Sequence, residues 1–298
     1  MSLESGVEVG CQSMVTDIKF VLLKHPTDSH INQGTIDAQW EALHYPSRQS
    51  YATLVAEYRR FTALLERFDM EIGYLPQASD TGLDSIYTHD PLVVSNQGAI
   101  LCNMGKAERS TEPDVMAAYL QEIGVPILGR IQGDGRLEGG DVLWLDERTV
   151  AVGEGYRTNA AGIAQLRTLL ADSVDEVIPV PLPHWNGPEE CLHLLSIISP
   201  VDQDMAVVYS RLMPVPFRQS LLDRGMQLIE VPDEEYETMA CNVLAVAPGE
   251  CIMLAGNPVT HSRLEAAGIR VWTYPGQELC LKGGGGPTCL TRPILRRT

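Results

Sequence analysis

A cysteine follows a run of four glycines near the carboxyl end of the chain. The segment reads GGGGPTCLT over residues 283–291, and the apolar stretch 290–295 is typical of a strand. Glycines let a ligand approach the main chain closely, and a thiol anchored there by a strand can serve as a nucleophile. The same pattern also fits a flexible turn before an edge strand, with Cys289 as a small buried hydrophobe. This stretch alone does not separate the two interpretations.

Three further segments carry acidic residues or histidine: DSIYTHD at 84–90, LEGGD at 137–141 and CLHLL at 191–195. Together with a thiol they form a coherent set, because carboxylates bind a planar cation, a thiolate attacks and a histidine moves protons. Each segment also has a structural interpretation: turn caps for the aspartates, a hairpin turn for the glycine-flanked carboxylates and a core position for the histidine. A zinc site is the competing chemistry, and it is disfavoured because no two candidate ligands fall at short spacing.

A repeated unit of strand, strand, helix and strand must position these residues. Four copies are predicted over residues 85–128, 142–180, 192–231 and 242–272. A fifth copy is split, since strands at 18–23 and 71–75 and a helix at 51–68 need a partner strand from 289–295. Pairing the two ends leaves no open edge. We therefore predict an α/β fold, a five-bladed α/β propeller of ββαβ modules with pseudo-fivefold symmetry; an open mixed α/β sheet is the alternative.

A closed ring brings residues at matching positions of different modules together near its axis. The acidic and histidine segments fall in the first, second and third modules, and Cys289 falls in the fifth. This placement favours one shared site over four separate structural roles.

Composition sets limits on function. The 298 residues carry a net charge of −17, which argues against nucleic acid as a partner. No apolar run has membrane-spanning length, no secretory signal is visible, and the seven cysteines form no CxxC pair. We expect free thiols and a cytoplasmic protein of one catalytic domain over residues 1–298, with 1–16 as a flexible extension. The oligomeric state is left open, a homo-oligomer included, as is the choice between a lid and a surface loop for residues 30–50.

The motifs resemble those of the guanidine-modifying superfamily, which holds arginine deiminases, dimethylarginine dimethylaminohydrolases and amidinotransferases. DSIYTHD (84–90) is similar to D-x-V-F-V-E-D of the dimethylarginine enzymes, and EGGDVL (138–143) to their [ED]-G-G-D-V-L. VGEGYRTN (152–159) resembles their V-G-x-x-x-R-T-N, and His193-Leu194 their H-L-K. The resemblance spans the chain from about residue 18 onward, and it implies a five-bladed α/β propeller.

The resemblance also implies roles for individual residues. Cys289 would be the nucleophile, His193 the general acid and base, and Glu138 the partner of His193 or of the substrate. Asp90 would hold the guanidinium and Asp84 the substrate's amino group. A last set would complete the contacts to the substrate: Arg157 and Arg109 on its carboxylate, with His89 and His25 at positions where the dimethylarginine enzymes have glutamate and leucine.

The implied activity is hydrolysis of an arginine-like or N-substituted guanidine through a thiouronium intermediate on Cys289, with no cofactor or metal. The sequence departs from arginine deiminases, whose H-L-D is HLL here (193–195), while the glycine loop is closer to deiminases and amidinotransferases. Amidinotransfer and deiminase-type chemistry therefore stay open as alternatives. A non-catalytic protein that binds a guanidino compound is the remaining one.

Overall fold

Short strands recur in groups of three along the chain. The structure is a computed structural model, and it describes residues 7–297, which form five three-stranded sheets. Blade 1 contains Leu92–Val94, Ala99–Leu101 and Ile127–Arg130; blade 2 contains Val142–Asp146, Thr149–Glu154 and Glu176–Pro181; blade 3 contains Ile198–Asp202, Met205–Val208 and Gln227–Glu230; blade 4 contains Leu244–Ala247, Glu250–Leu254 and Arg270–Tyr274; blade 5 contains Arg292–Arg297, Asp17–Leu23 and Glu71–Tyr74.

Every blade has the same strand pairing. The first strand runs antiparallel to the second, and the second runs parallel to the third. In blades 1 to 4 a tight connection suffices for the antiparallel pair, whereas a parallel pair requires a crossover, which a helix provides. The predicted ββαβ modules and the five-bladed propeller are confirmed.

Blade 5 joins the two ends of the chain. Its first strand comes from the carboxyl end, and Asp17 pairs with Arg297 while Leu22 pairs with Arg292. The amino-terminal strand then pairs in parallel with Glu71–Tyr74. The predicted split module is therefore present, and it closes the ring so that no blade is left at an open end.

Helices cover the outer sides of the sheets. The longer ones are Tyr51–Leu65, Glu112–Ile123, Ala160–Leu169, Val215–Asp223 and Pro258–Ala266; shorter ones are Pro26–Ser29, Gln33–Gln39 and Asp233–Tyr236. The buried positions Leu54, Tyr58, Phe61 and Leu65 repeat every three to four residues, which gives one apolar helix face toward the core. None of the helices within residues 7–297 combines the length and apolarity that crossing a membrane requires.

Three inner strands begin later than the apolar pattern predicts. Residues 83–86 form a 3₁₀ turn, and the strand starts at Leu92; residues 194–196 form another, and the strand starts at Ile198. Cys289 likewise lies in a turn before the strand Arg292–Arg297. Side-chain hydrogen bonds stabilise these turns, and some come from other blades: Leu194 N–H donates to the Asp141 carboxylate at 2.9 Å. Hydrophobicity alone does not reveal that an apolar segment forms a turn in place of the start of a strand.

The segment 7–16 is packed against the fold, contrary to the flexible extension that we expected. Gly10 N–H donates to Ile294 O at 3.0 Å, and Arg296 N–H donates to Gly10 O at 2.7 Å. The Gln12 amide donates to Ser173 O at 3.2 Å. These contacts extend the blade 5 edge, whereas residues 1–6 of the expected extension lie outside the described residues.

Candidate active site

One polar side chain from each blade lies just before that blade's first strand. These residues are Asp90, Glu138, His193, Asn242 and Cys289. Because the five blades are related by pseudo-symmetry, equivalent positions converge at one end of the ring. The sequence motifs identified four of these positions and missed Asn242 in blade 4.

A cavity of about 420 Å³ opens at this end, within the size range of small-molecule sites. Six of the nine predicted site residues line it: Asp84, Asp90, Arg109, Arg157, His193 and Cys289. Glu138 is fully buried behind His193 and Arg157. Two predicted substrate contacts, His89 and His25, do not line the cavity.

Cys289 is held in the turn that precedes the last strand. Its Sγ accepts a hydrogen bond from Asn242 Nδ2 at 3.3 Å. Burial, followed by the negative charge of Asp90, raises the pKa of Cys289 to about 11, although the Asn242 hydrogen bond opposes this shift. The thiol is therefore protonated at neutral pH while the cavity holds no cation.

Asn242 is fixed on both sides of its amide. Its Oδ1 accepts the Thr288 N–H at 3.1 Å, and this contact orients Nδ2 toward Cys289. A Cβ at Gly286 would come within 2.5 Å of Asn242 Cγ, so this glycine makes room for the amide. The position equivalent to Asp90 in the blade 4 repeat is the signal that could have identified Asn242.

His193 lies between two carboxylates and packs against Gly140. Its Nε2 is 2.7 Å from Glu138 Oε2, and its Nδ1 is 3.8 Å from Asp90 Oδ1. A Cβ at Gly140 would overlap Nδ1, which explains why a glycine precedes Asp141 here. The contact with Glu138 fixes the ring and leaves Nδ1 on the side of Asp90 and the cavity.

The charges around His193 are strongly coupled. Burial alone would lower the pKa of His193, but Cys191, Asp141 and Asp90 raise it well above its ordinary value. Burial would raise the pKa of Glu138, but the hydrogen bond and charge of His193 lower it to about 2. The free site therefore holds an imidazolium between ionised carboxylates.

Arg109 neutralises Asp90, and its donors are largely used inside the protein. Its Nη1 donates to Asp90 at 2.5 Å, Nη2 to Tyr87 O at 2.9 Å, and both Nε and Nη2 to Glu112. Burial would raise the pKa of Asp90, but the charges of Arg109 and His193 bring it below the ordinary range. These contacts disfavour the predicted role of Arg109 in binding a substrate carboxylate.

Other charged groups face the cavity with more freedom. Arg157 donates from Nη1 to Glu138 at 3.2 Å, which leaves several N–H groups for a ligand. Lys106, which the sequence analysis did not single out, lies 2.7 Å from Asp84 and also donates to Leu43 O at 2.8 Å. The Lys106 ammonium and the Asp84 carboxylate therefore face each other in the cavity, where the zwitterionic end of a ligand would fit between them.

The two predicted histidine contacts have structural roles instead. The His89 Nδ1 lies 2.9 Å from Thr291 O, and the ring is buried. His25 accepts the Thr27 N–H at the start of a helical turn, and its ring packs edge-on against Tyr58 at 5.1 Å between centroids. His25 is the residue before the helix Pro26–Ser29, and its side chain caps that helix. The motif comparison could not reveal this capping role.

Residues 30–50 form part of the cavity wall. Leu43, His44, Tyr45 and Pro46 line it, opposite an aromatic pair of Trp185 and Tyr236. The Gln49 amide donates to Glu278 O at 2.6 Å, so this segment is tied to the loop before the glycine run. Residues 30–50 are therefore an ordered part of the cavity wall.

Three ligand-type groups, on Asp90, Glu138 and His193, lie within 4.8 Å of one another. Such a group could ligate a metal ion. Each carboxylate, however, already faces a guanidinium, Asp90 that of Arg109 and Glu138 that of Arg157. The negative charge that would attract a metal ion is therefore largely compensated.

The raised pKa of Cys289 predicts a distinctive alkylation pattern. With neutral iodoacetamide, we expect the rate at Cys289 to rise about tenfold per pH unit from pH 7 to 10, because the thiolate is the nucleophile. With a cationic haloacetamidine, labelling near pH 7 should be much faster, because the amidinium resembles a guanidinium and favours the thiolate. Peptide mass spectrometry measures both rates, and Cys191→Ser serves as control because Cys191 lines the same cavity. Equal rates for the two reagents would contradict this account.

Known proteins give an independent comparison. A family model described as "N,N dimethylarginine dimethylhydrolase, eukaryotic" matches residues 27–296. The uncharacterized protein YkgA of Bacillus subtilis (strain 168) is 29% identical over 240 residues, which cover 80% of this chain and 79% of YkgA.

Solved structures agree in fold. DDAH from Pseudomonas aeruginosa, in a complex with citrulline, matches with a TM-score of 0.75 and 22% identity over 94% of this chain and 100% of that chain. The N-terminal domain of ArgZ, an arginine dihydrolase from cyanobacteria, matches with a TM-score of 0.79 and 21% identity over 94% of this chain and 98% of that chain. The family match spans nearly all of the described propeller, and the chain therefore belongs to the N,N-dimethylarginine dimethylhydrolase family of the guanidine-modifying superfamily.

Proposed function

We propose that this chain is a cysteine-dependent hydrolase of an arginine-like or N-substituted guanidine. The observation that carries the proposal is the convergence of Cys289, His193 and Asp90, from three blades, on one cavity of small-molecule size. Membership of a family whose name describes hydrolysis of a substituted guanidine supports the reaction class. The seven free cysteines suit a reducing compartment, and we propose the cytoplasm as the location and residues 1–298 as one catalytic domain.

In the proposed reaction the substrate guanidinium binds beside Asp90, whose carboxylate retains lone pairs beyond those used by Arg109 and Gly140. The bound cation lies next to Cys289 and lowers the pKa of its thiol, opposing the effects of burial and of Asp90. The thiol releases its proton to solvent, and the thiolate Sγ then attacks the guanidinium carbon and forms an S–C bond. Substrate binding itself thus activates the nucleophile.

His193 manages the protons of both half-reactions. As an imidazolium it donates a proton to the departing amine while the C–N bond breaks, which leaves a thiouronium on Cys289. The neutral imidazole then accepts a proton from water as its oxygen attacks the same carbon. The S–C bond breaks as the hydroxyl of the tetrahedral adduct becomes a carbonyl, and the hydroxyl proton passes to the departing Cys289 thiolate. A ureido product leaves, and the site returns to its starting thiol and imidazolium. Glu138 orients the ring throughout from its position behind Nε2.

The remote end of the substrate is proposed to contact a second set of charges. Arg157 and Lys106 would bind a carboxylate of the substrate. Asp84 would leave its contact with Lys106 and bind an ammonium of the substrate instead. This assignment replaces Arg109 with Lys106, since the Arg109 guanidinium is engaged by Asp90 and Glu112.

A substrate panel tests the proposal. Arginine, N-methylated arginines, agmatine and simple guanidines are incubated with the protein and with Cys289→Ala, and products are identified by mass spectrometry. We expect a ureido product plus an amine or ammonia from at least one arginine-like guanidine, and none with Cys289→Ala. Ornithine formed only when an amine acceptor is present would indicate amidinotransfer. Binding without turnover, unaffected by Cys289→Ala, would indicate a guanidino-binding protein and overturn the hydrolase.

A further inference from the structure

A second cavity lies on the ring axis, and it shares no lining residue with the catalytic cavity. The first strands of all five blades line it, through Val93, Val142, Ser199, Leu244 and Arg292. The volume open to the centre of a water-sized sphere is about 20 Å³, enough for about one small particle. The cavity therefore has the size of an ion site.

Two buried guanidinium groups, of Arg292 and Arg296, face this axial cavity. Arg292 donates from Nε and Nη2 to His89 O, and Arg296 donates to Thr16 O and Ala245 O at 2.6 and 2.9 Å. Within residues 7–297, no carboxylate lies within 4.0 Å of either guanidinium, and none lines the cavity. Two buried like charges without a counter-charge are unfavourable in a low-dielectric interior.

Neighbouring titratable groups do not supply the missing negative charge. Burial raises the pKa of the Cys11 thiol, so it stays neutral beside the two arginines. Burial also lowers the pKa of His89 well below its ordinary value, so this ring is neutral as well. Arg292 itself keeps its charge at neutral pH, because burial lowers its pKa only to about 10. Asp90 and Asp17 act on Arg292 and Arg296 only from beyond 4.0 Å, so a compensating charge in direct contact with the guanidinium groups would have to come from solution.

We propose that the axial cavity binds a small monovalent anion between Arg292 and Arg296. Ser13 supplies a third donor: its Oγ accepts N–H groups from Val15 and Thr16 at 3.2 and 3.1 Å, so its own O–H is free to donate. Chloride or bromide fits the volume and the three donors. The ion would stabilise the ring where the carboxyl-terminal strand and the segment 7–16 meet the other blades.

Thermal unfolding in sodium chloride and in sodium gluconate at equal ionic strength tests the site. We expect a saturable rise in Tm with chloride, about 2 °C at five times Kd. Crystals grown in bromide should show an anomalous peak between the two guanidinium groups. Equal Tm values in the two salts, together with no bromide peak in the axial cavity, would overturn the proposal.

Variants separate this site from general salt effects. Arg296→Met should lose the chloride response, and because it also removes the donors to Thr16 O and Ala245 O, its Tm in chloride is compared with its own Tm in gluconate. Ser13→Ala is the milder variant, and it should shift the chloride midpoint to higher concentration. Arg148→Gln, at an exposed pair with Asp175, is the control and should keep the full response. A full chloride response in both Arg296→Met and Ser13→Ala would place the ion elsewhere and refute the site, whatever the protein's catalytic activity.

Discussion

Replacing His193 with asparagine is expected to lower kcat by about 10²–10⁴-fold, the usual effect of losing a general acid. The imidazolium lines the cavity with Nδ1 3.8 Å from the Asp90 carboxylate and carries a transferable proton, whereas asparagine has no proton to transfer at neutral pH. Binding should change much less than kcat, because Asp90 holds the guanidinium. Steady-state kinetics on a substrate identified by the panel measure the two effects separately.

The pH profile adds a second readout for His193. The raised pKa of this imidazole keeps the acid form populated at neutral pH, so wild-type kcat should fall only as pH rises through that value. The variant should lose this alkaline limb. An S-alkyl isothiourea analogue should restore formation of the thiouronium, measured as a burst of released thiol, because its thiolate leaving group needs no proton donor as an amine does.

Cys191→Ser is the matched control for His193. The Cys191 Sγ lies 3.5 Å from His193 Nδ1, so the variant perturbs the same ring without removing it. We expect its kcat to stay within about tenfold of the wild-type value. An asparagine variant that retained normal kcat on an amine-releasing substrate would refute the proposed role of His193.

The propeller could be predicted because its signals are local and repeated. Apolar runs separated by turns recur with one spacing, and the unpaired strands at the two ends have only each other as partners. The closing pair of Asp17–Leu23 with Arg292–Arg297 follows from this requirement. Helix ends could also be predicted: Gly124 ends the helix Glu112–Ile123 in the left-handed conformation, with φ of 79°.

The partners of individual side chains could not be predicted in the same way. Arg109 lies between the second strand of blade 1 and the helix Glu112–Ile123, in a segment that resembles a ligand-binding position. Its contact with Glu112 is one helical turn away, but its contact with Asp90 forms only in the folded blade. Lys106 shows the same limit, because its partners Asp84 and Leu43 come from distant segments. Asn242 differs from these residues: the repeat predicts a polar side chain at its position, and only the absence of a charge concealed it.

Replacing Asp90 with asparagine is expected to lower kcat/KM for a guanidinium substrate by about 10–160-fold. The carboxylate makes the charged contact to the substrate in the proposed mechanism, and one charged hydrogen bond is worth about 1.5–3 kcal/mol. The change also leaves the buried Arg109 without one of its two carboxylates. Breaking a buried pair in this way costs about 3–5 kcal/mol, so a lower Tm is expected as well.

Glu112→Gln separates the two effects. Glu112 is buried, pairs with the same guanidinium and does not line the catalytic cavity. Both variants should therefore lose stability, but only Asp90→Asn should lose the ability to bind a guanidinium and to activate Cys289 toward a haloacetamidine. Thermal unfolding, kcat/KM and labelling rates on the two proteins measure this difference. If Glu112→Gln lost as much catalytic efficiency as Asp90→Asn, the aspartate would act only through Arg109, and the substrate cation would have to bind elsewhere in the cavity.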